Sequence, residues 1–149
     1  MMTRHVRSIA IVSLIILITG IALYARLRRD QTPEHIFPAT INRDCAPWDG
    51  SAFIVSIPVE GTRITISIYQ WPDIKFPTTF LFPDDTMSIG NALLILPMGS
   101  PEQLTGKVSF QRVGQDIPVE GQLDLITNAG EHFKGKFSAE WGNEVVYCG

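Results

Sequence analysis

His132–Trp141 has the sequence HFKGKFSAEW, in which small or apolar residues alternate with polar ones. The small or apolar members are Phe133, Gly135, Phe137, Ala139 and Trp141. Successive side chains of a β-strand point to opposite faces, so an alternation with a period of two indicates a strand with one buried face. This stretch therefore predicts a β fold.

The residues after this strand predict a hairpin. Gly142 and Asn143 suit a two-residue turn that begins with glycine, and residues 144–148 would then return as a second strand. In that register Cys148 lies opposite Phe137 and faces the core, because directly opposed residues share a face of the sheet. The predicted domain thus ends in a strand with an inward-facing cysteine.

Shorter stretches along the chain give the same indication. Candidate strands cover residues 53–58, 63–69, 78–82, 92–96, 107–112 and 117–127. With the last two strands they amount to about seven or eight, at the spacing of an antiparallel β-sandwich or a small closed barrel. No helix is predicted beyond residue 40. We therefore expect an all-β domain with one of these two architectures.

One motif occurs twice. IPVEG occupies residues 57–61 and again residues 117–121, while the residues on either side hardly match. The recurrence fits either a duplicated half of the domain or two similar transitions from strand to turn.

An apolar stretch precedes the predicted domain. Residues 8–25 have the sequence SIAIVSLIILITGIALYA and carry no charge. As a helix they would be about 27 Å long, which just crosses the hydrocarbon layer of a bilayer. The arginines that flank this stretch are Arg4, Arg7, Arg26, Arg28 and Arg29.

Residues 8–25 have three interpretations. As a cleaved signal peptide, with a weak small-x-small site at residues 20–22, they would leave a secreted protein. As an uncleaved signal anchor, they would make a single-pass membrane protein whose C-terminal domain is periplasmic or extracellular. An anchor of the reverse orientation would leave the domain in the cytoplasm, and the count of flanking arginines favours it by only one. We expect the exported anchor.

The predicted organisation has four parts. They are a basic N-terminal tail (residues 1–7), the transmembrane or signal segment (8–25), a juxtamembrane linker (26–40) and the β domain (41–149). The linker is assigned because residues 30–39 contain two prolines and mixed charges without any period.

The two cysteines support export. Cys45 lies near the start of the predicted domain and Cys148 lies one residue from the end of the chain. A disulfide between them would close a loop of roughly 100 residues, and disulfides persist in oxidising compartments. Two unpaired buried thiols are the alternative.

The charge distribution argues against nucleic-acid binding. All 15 acidic residues but only seven Lys and Arg lie from Asp30 onward, which gives this part a formal net charge of −8 against −3 for the whole chain. Such a domain repels phosphate backbones. The chain from Asp30 onward contains no recognisable catalytic motif and too few His and Cys residues for a metal centre. We therefore predict no catalytic residue, metal or cofactor.

Aromatic residues provide the candidate binding site. They are Trp48 in the loop after Cys45, and Tyr69, Trp71 and Phe76, which are concentrated with Phe80 and Phe82 in one third of the domain. Exposed aromatics anchor many interfaces. The alternative is that they pack loops against the core.

Three functions are considered. The first is a non-catalytic domain, tethered to the membrane by residues 8–25, that binds a protein or ligand in the cell envelope. The second is a β-barrel carrier that holds a small molecule in an interior pocket. The third is a hydrolase that uses carboxylates between residues 71 and 85. The first is the one we expect.

Overall fold

The computed structural model describes residues 35–69, 73–84, 89–114, 117–143 and 145–148. The chain divides into two units, residues 1–34 and 35–149, and the described residues all belong to the second. The predicted basic tail (residues 1–7) and the apolar stretch (residues 8–25) lie outside the described residues. Within the described ranges there is no helix of the length and hydropathy that a membrane span requires.

The described residues form nine β-strands and no helix. The strands are β1 (Ile36–Cys45), β2 (Ser51–Val59), β3 (Thr62–Ile68), β4 (Thr78–Phe82), β5 (Gly90–Ile95), β6 (Glu102–Gln103), β7 (Thr105–Arg112), β8 (Val119–Ile126) and β9 (His132–Trp141). The prediction of an all-β domain is confirmed.

All nine strands belong to one curled sheet with the order β4-β7-β8-β9-β1-β2-β3-β5-β6. Neighbouring strands are antiparallel except β1 and β9, which are parallel. The sheet curls into a half-barrel. It therefore differs in detail from the sandwich or closed barrel of about seven or eight strands that the spacing predicted.

The curl has an identifiable cause in the chain between β5 and β7. Only Leu104 separates β6 from β7, and its N–H donates to the Ala92 carbonyl of β5 over 2.9 Å. The next residue, Thr105, already pairs with Ile126 of β8. One bent segment is thus bonded to both sides of the sheet, which brings these sides together around the fully buried Leu104.

The first strand was not predicted. Residues 36–40 were expected in a linker and residues 41–50 in an irregular segment, yet residues 36–45 form β1. Residues 42–45 show no alternation of apolar and polar side chains. All four are half-buried, so polar side chains lie on both faces of this part of the strand.

The predicted final hairpin is wrong. Both edges of β9 are occupied, by β8 on one side and by β1 on the other, so no edge remains for a returning strand. Gly142 continues the β1 pairing by donating its N–H to the Ile41 carbonyl over 2.8 Å, and residues 145–148 form no strand. Cys148 is half-buried and does not pair with Phe137.

The concave face of the sheet holds one apolar core. Phe110 of β7 lies at its centre, with ring centroids 5.5 Å from Phe53 of β2 and 5.5 Å from Phe137 of β9. β2 and β7 are four places apart in the sheet, so this contact spans the concavity. Gly121 makes room for the packing, because a Cβ there would meet the Phe137 ring and the Ser109 carbonyl.

The two IPVEG motifs occupy different structural positions. Residues 57–61 end β2 and form the turn into β3, with positive φ angles at Glu60 and Gly61. Residues 117–121 instead lead into β8, where Gly121 is a strand residue. The second motif is therefore a strand start and not the strand-to-turn transition that was considered.

Candidate functional site

The strand register brings many loops to one end of the sheet. β1, β3, β7 and β9 end there, and β2, β4, β5 and β8 begin there. Cys45 is the last residue of β1, so the disulfide lies at this end as well. We call it the disulfide end. The chain enters the β unit at the opposite end, where β1 begins.

The predicted disulfide is confirmed. Cys45 and Cys148 are bonded, with their Cα atoms 5.5 Å apart across 103 positions of sequence. Neither cysteine is fully buried. The bond holds residues 145–148 beside the end of β1, where the Cys148 Sγ lies 3.7 Å from the Asp44 carbonyl oxygen.

Trp48 stands on a tight turn between β1 and β2. The Ala46 N–H donates to the Gly50 carbonyl over 2.7 Å, and the Asp49 N–H donates to the Ala46 carbonyl over 2.9 Å. Asp49 has a φ of 64°, a left-handed conformation that Asp and Asn tolerate better than most residues. The indole lies over Gly50, where a Cβ would be only 2.8 Å from Nε1. Half of the Trp48 surface, 50 %, is exposed.

Tyr69 supports Trp48 from the end of β3. The two rings meet edge to face with their centroids 5.4 Å apart. The Tyr69 hydroxyl accepts a hydrogen bond of 2.9 Å from Asn91 Nδ2, and the Tyr69 N–H donates to the Ile89 carbonyl over 2.8 Å. These contacts fix the half-buried phenol, and the phenol in turn limits the orientations of the indole.

A negative charge acts on the Tyr69 hydroxyl. Partial burial raises the pKa of the Tyr69 hydroxyl above its usual value of 10.0, and the nearby Asp44 carboxylate raises it further. Both effects disfavour a tyrosinate, the first by withdrawing it from water and the second by charge repulsion. Asn91 Oδ1, close by, is buried and has no hydrogen-bond partner among the described residues.

Apolar side chains of the C-terminal segment are exposed at the same end. Val145 and Tyr147 are 65 % and 89 % exposed, and Val146 is exposed as well. All three lie within three residues of Cys148, just as Trp48 lies three residues from Cys45. We call Trp48, Tyr69 and residues 145–147 the aromatic surface.

The structure brings two of the four predicted binding residues into contact. Trp48 and Tyr69 are in contact. Phe76 is partly buried and packs on the core, with its ring centroid 6.3 Å from that of Phe110. Trp71 lies outside the described residues. Val145 and Tyr147 were not predicted as site residues, because the expected hairpin placed them in a strand.

A scan against protein-family models, a search of curated proteins and a search of solved structures each found no match to this chain. A function for this chain is therefore inferred from the geometry of the molecule.

A cluster of polar side chains lies on the convex face of the sheet. His132 Nε2 and Asp124 Oδ1 are 2.6 Å apart, and Lys134 Nζ lies 3.4 Å from Asp124 Oδ2. The hydrogen bond from His132 is the main cause of a lowered Asp124 pKa, and Lys134 lowers it further. The cluster is open to solvent, since half of the His132 side chain is exposed. A solvated ion-pair group explains it.

Of the carboxylates considered for a hydrolase, Asp73 and Asp84 lie in the part of the chain that the structure describes. Asp84 Oδ2 accepts a hydrogen bond of 2.8 Å from the Ile89 N–H, and Asp73 is exposed. Asp85 lies outside the described residues. No group of three or more potential metal ligands occurs among the residues described.

Proposed function

We propose that this chain is a membrane-tethered, non-catalytic domain on the exported side, which binds a protein or ligand of the cell envelope through the aromatic surface. One observation carries the proposal. Of the ten large apolar side chains that are exposed in the described chain, four lie within three residues of the two bonded cysteines: Trp48, Val145, Val146 and Tyr147. Such concentrations of exposed apolar surface are typical of interaction sites.

The surface has the composition and the rigidity of a binding site. Trp and Tyr are enriched among the residues that dominate interface energetics. The hydrogen-bonded turn and the Tyr69 ring hold Trp48 in place before any partner arrives, and the disulfide ties the backbone next to Tyr147 to the end of β1. Rigidity of this kind favours affinity, because less conformational entropy is lost on binding.

Export and tethering are part of the proposal. The Cys45–Cys148 disulfide supports export, since such bonds persist outside reducing compartments. The uncharged stretch of residues 8–25 supports a tether. An attachment upstream of His35 and a partner at the disulfide end would use opposite ends of the β unit.

The carrier hypothesis receives less support. It requires an empty interior, whereas Ile64, Ile66, Leu94, Phe133 and Phe137 all belong to one buried cluster. A hollow of about 360 Å³ opens instead at the surface, where Gln122 and Lys136 of the convex face are among the residues that line it. We therefore keep the binding-domain function.

A peptide selection tests the aromatic surface. The full-length chain in non-ionic detergent is used to select binders from a library of random displayed peptides, and the Kd of the best peptide is measured. Trp48→Ala should weaken Kd by about ten-fold or more, as the loss of a buried aromatic anchor does. Met98→Ala is the matched control, since Met98 is 91 % exposed in the loop after β5, at the other end of the sheet, and should leave Kd unchanged. Equal binding by wild type and Trp48→Ala would refute the proposed site.

A further inference from the structure

The aromatic surface is bordered by acidic residues. Asp44 precedes Cys45, Asp49 follows Trp48, and in the sequence Glu144 directly precedes Val145. Residues 44–50 and 142–149 together contain these three acids and no Lys or Arg. These two segments therefore carry acidic side chains alone, and Arg43 directly precedes the first of them.

Asp44 and Asp49 lie outside the ion pairs that the described residues form. No described Lys, Arg or His forms an ion pair with Asp44 or Asp49, whereas Asp124 on the convex face is paired with both His132 and Lys134. Asp44 also acts on Tyr69, because its charge opposes ionisation of the phenol. Negative charge is thus present beside Tyr69, and no described Lys, Arg or His forms an ion pair with it.

We propose that the aromatic surface binds a cationic segment of a partner protein, in which Lys or Arg residues flank an apolar side chain. This inference rests on the proposed function and specifies its partner. A guanidinium or ammonium group is attracted both to the faces of Trp and Tyr rings and to carboxylates. The apolar side chain of the segment would pack on Val145 and Val146, which are exposed.

Complementary charge makes the recognition selective. An acidic segment would meet Asp44 and Asp49 and be repelled, while a basic one would be steered toward the surface. Because these carboxylates are near solvent, their contribution should decrease when salt is added.

Two short blocked peptides provide the test, one of alternating leucine and arginine and one of alternating leucine and glutamate. Each is titrated into the full-length chain in non-ionic detergent, and binding is measured by calorimetry at low and high salt. The arginine peptide should bind and the glutamate peptide should not. Asp44→Asn combined with Asp49→Asn should weaken Kd about two- to ten-fold, because exposed charge pairs contribute modestly.

The variants are chosen to preserve the fold. Asn tolerates the positive φ of residue 49, so the turn should persist. Glu131→Gln is the matched control: it removes one negative charge from the turn between β8 and β9, at the other end of the sheet, and should not change Kd.

The outcomes separate this inference from the proposed function. If both peptides bind equally and Trp48→Ala abolishes both, the surface is a binding site but its preference for cations is refuted. If the arginine peptide fails to bind, or binds equally to wild type, Trp48→Ala and the Asp double variant, the inference is overturned. The selected peptide described above still tests the proposed function in either case.

Discussion

The packing and the pKa of Tyr69 both depend on its neighbours at the disulfide end. Its ring contacts Trp48, its hydroxyl accepts a hydrogen bond from Asn91, and its ionisation is opposed by burial and by Asp44. The pKa of this phenol therefore depends on both the packing and the charge of the proposed binding surface.

Titration of Tyr69 should confirm this environment. Following tyrosinate absorbance with pH, the component that is lost in Tyr69→Phe should titrate above pH 10.0. Asp44→Asn should move that component partly back toward 10.0, because the charge repulsion disappears while burial remains. A component that titrates at 10.0 in the wild type would contradict the described packing.

The same shift predicts a loss of stability at high pH. The folded pKa of Tyr69 is raised, so its contribution to stability is fully present below the unfolded pKa of 10.0 and is lost as the pH rises through the folded value. The free energy of unfolding should therefore fall less steeply above pH 10.0 in Tyr69→Phe than in the wild type.

Among the elements, β8 depends on the close approach of its neighbours. Gly121 pairs with Phe110 on one side and with Phe137 on the other, and an added Cβ would meet both the Phe137 ring and the Ser109 carbonyl. The small residue in the middle of a strand is therefore explained by packing.

Gly121→Ala should destabilise the domain by about 1–3 kcal/mol, since extra volume in a filled core forces neighbours to move. Urea unfolding followed by far-ultraviolet circular dichroism would measure the change. Gly114→Ala is the control, because a Cβ there would approach only the end of the flexible Ile117 side chain, and its effect should stay below about 1 kcal/mol. Equal effects of the two substitutions would contradict the described packing of β8.

At the scale of the whole molecule, the first and last strands close the architecture. β1 and β9 pair in parallel although nearly the whole β unit separates them in sequence, and the Cys45–Cys148 bond lies at the end of that pair. The disulfide therefore secures the most distant pairing in the sheet and also fixes the C-terminal part of the aromatic surface.

Removal of the disulfide should lower the free energy of unfolding by about 4–5 kcal/mol, the value expected for a closed loop of roughly 100 residues. The variant carries Cys45→Ser and Cys148→Ser, and urea unfolding with and without reductant gives the comparison. Wild type in reductant should match the variant, and the variant should not respond to reductant.

Thiol labelling gives the complementary result. The denatured wild-type chain should not label until reductant is added. Labelling without reductant, or equal stability of wild type in both conditions, would contradict the bond.

The sequence alone determined the β class and seven of the nine strands at least in part, and it favoured a bond between the two cysteines. These features have local or chemical signatures: the alternation in His132–Trp141 is visible in ten consecutive letters, and two cysteines allow only one bridge. Trp48 and Tyr69 were predicted as candidate binding residues for a similar reason, because aromatic side chains in turn-rich segments are recognisable one at a time.

Only the tertiary structure decided which strands are neighbours. β1 pairs with β9, so the chain end could not form the hairpin that Gly142 and Asn143 favour locally, and Tyr147 became exposed. The curl of the sheet depends on Leu104 joining bonds to two distant strands. Such choices rest on contacts between residues far apart in sequence, whose energies no local pattern records.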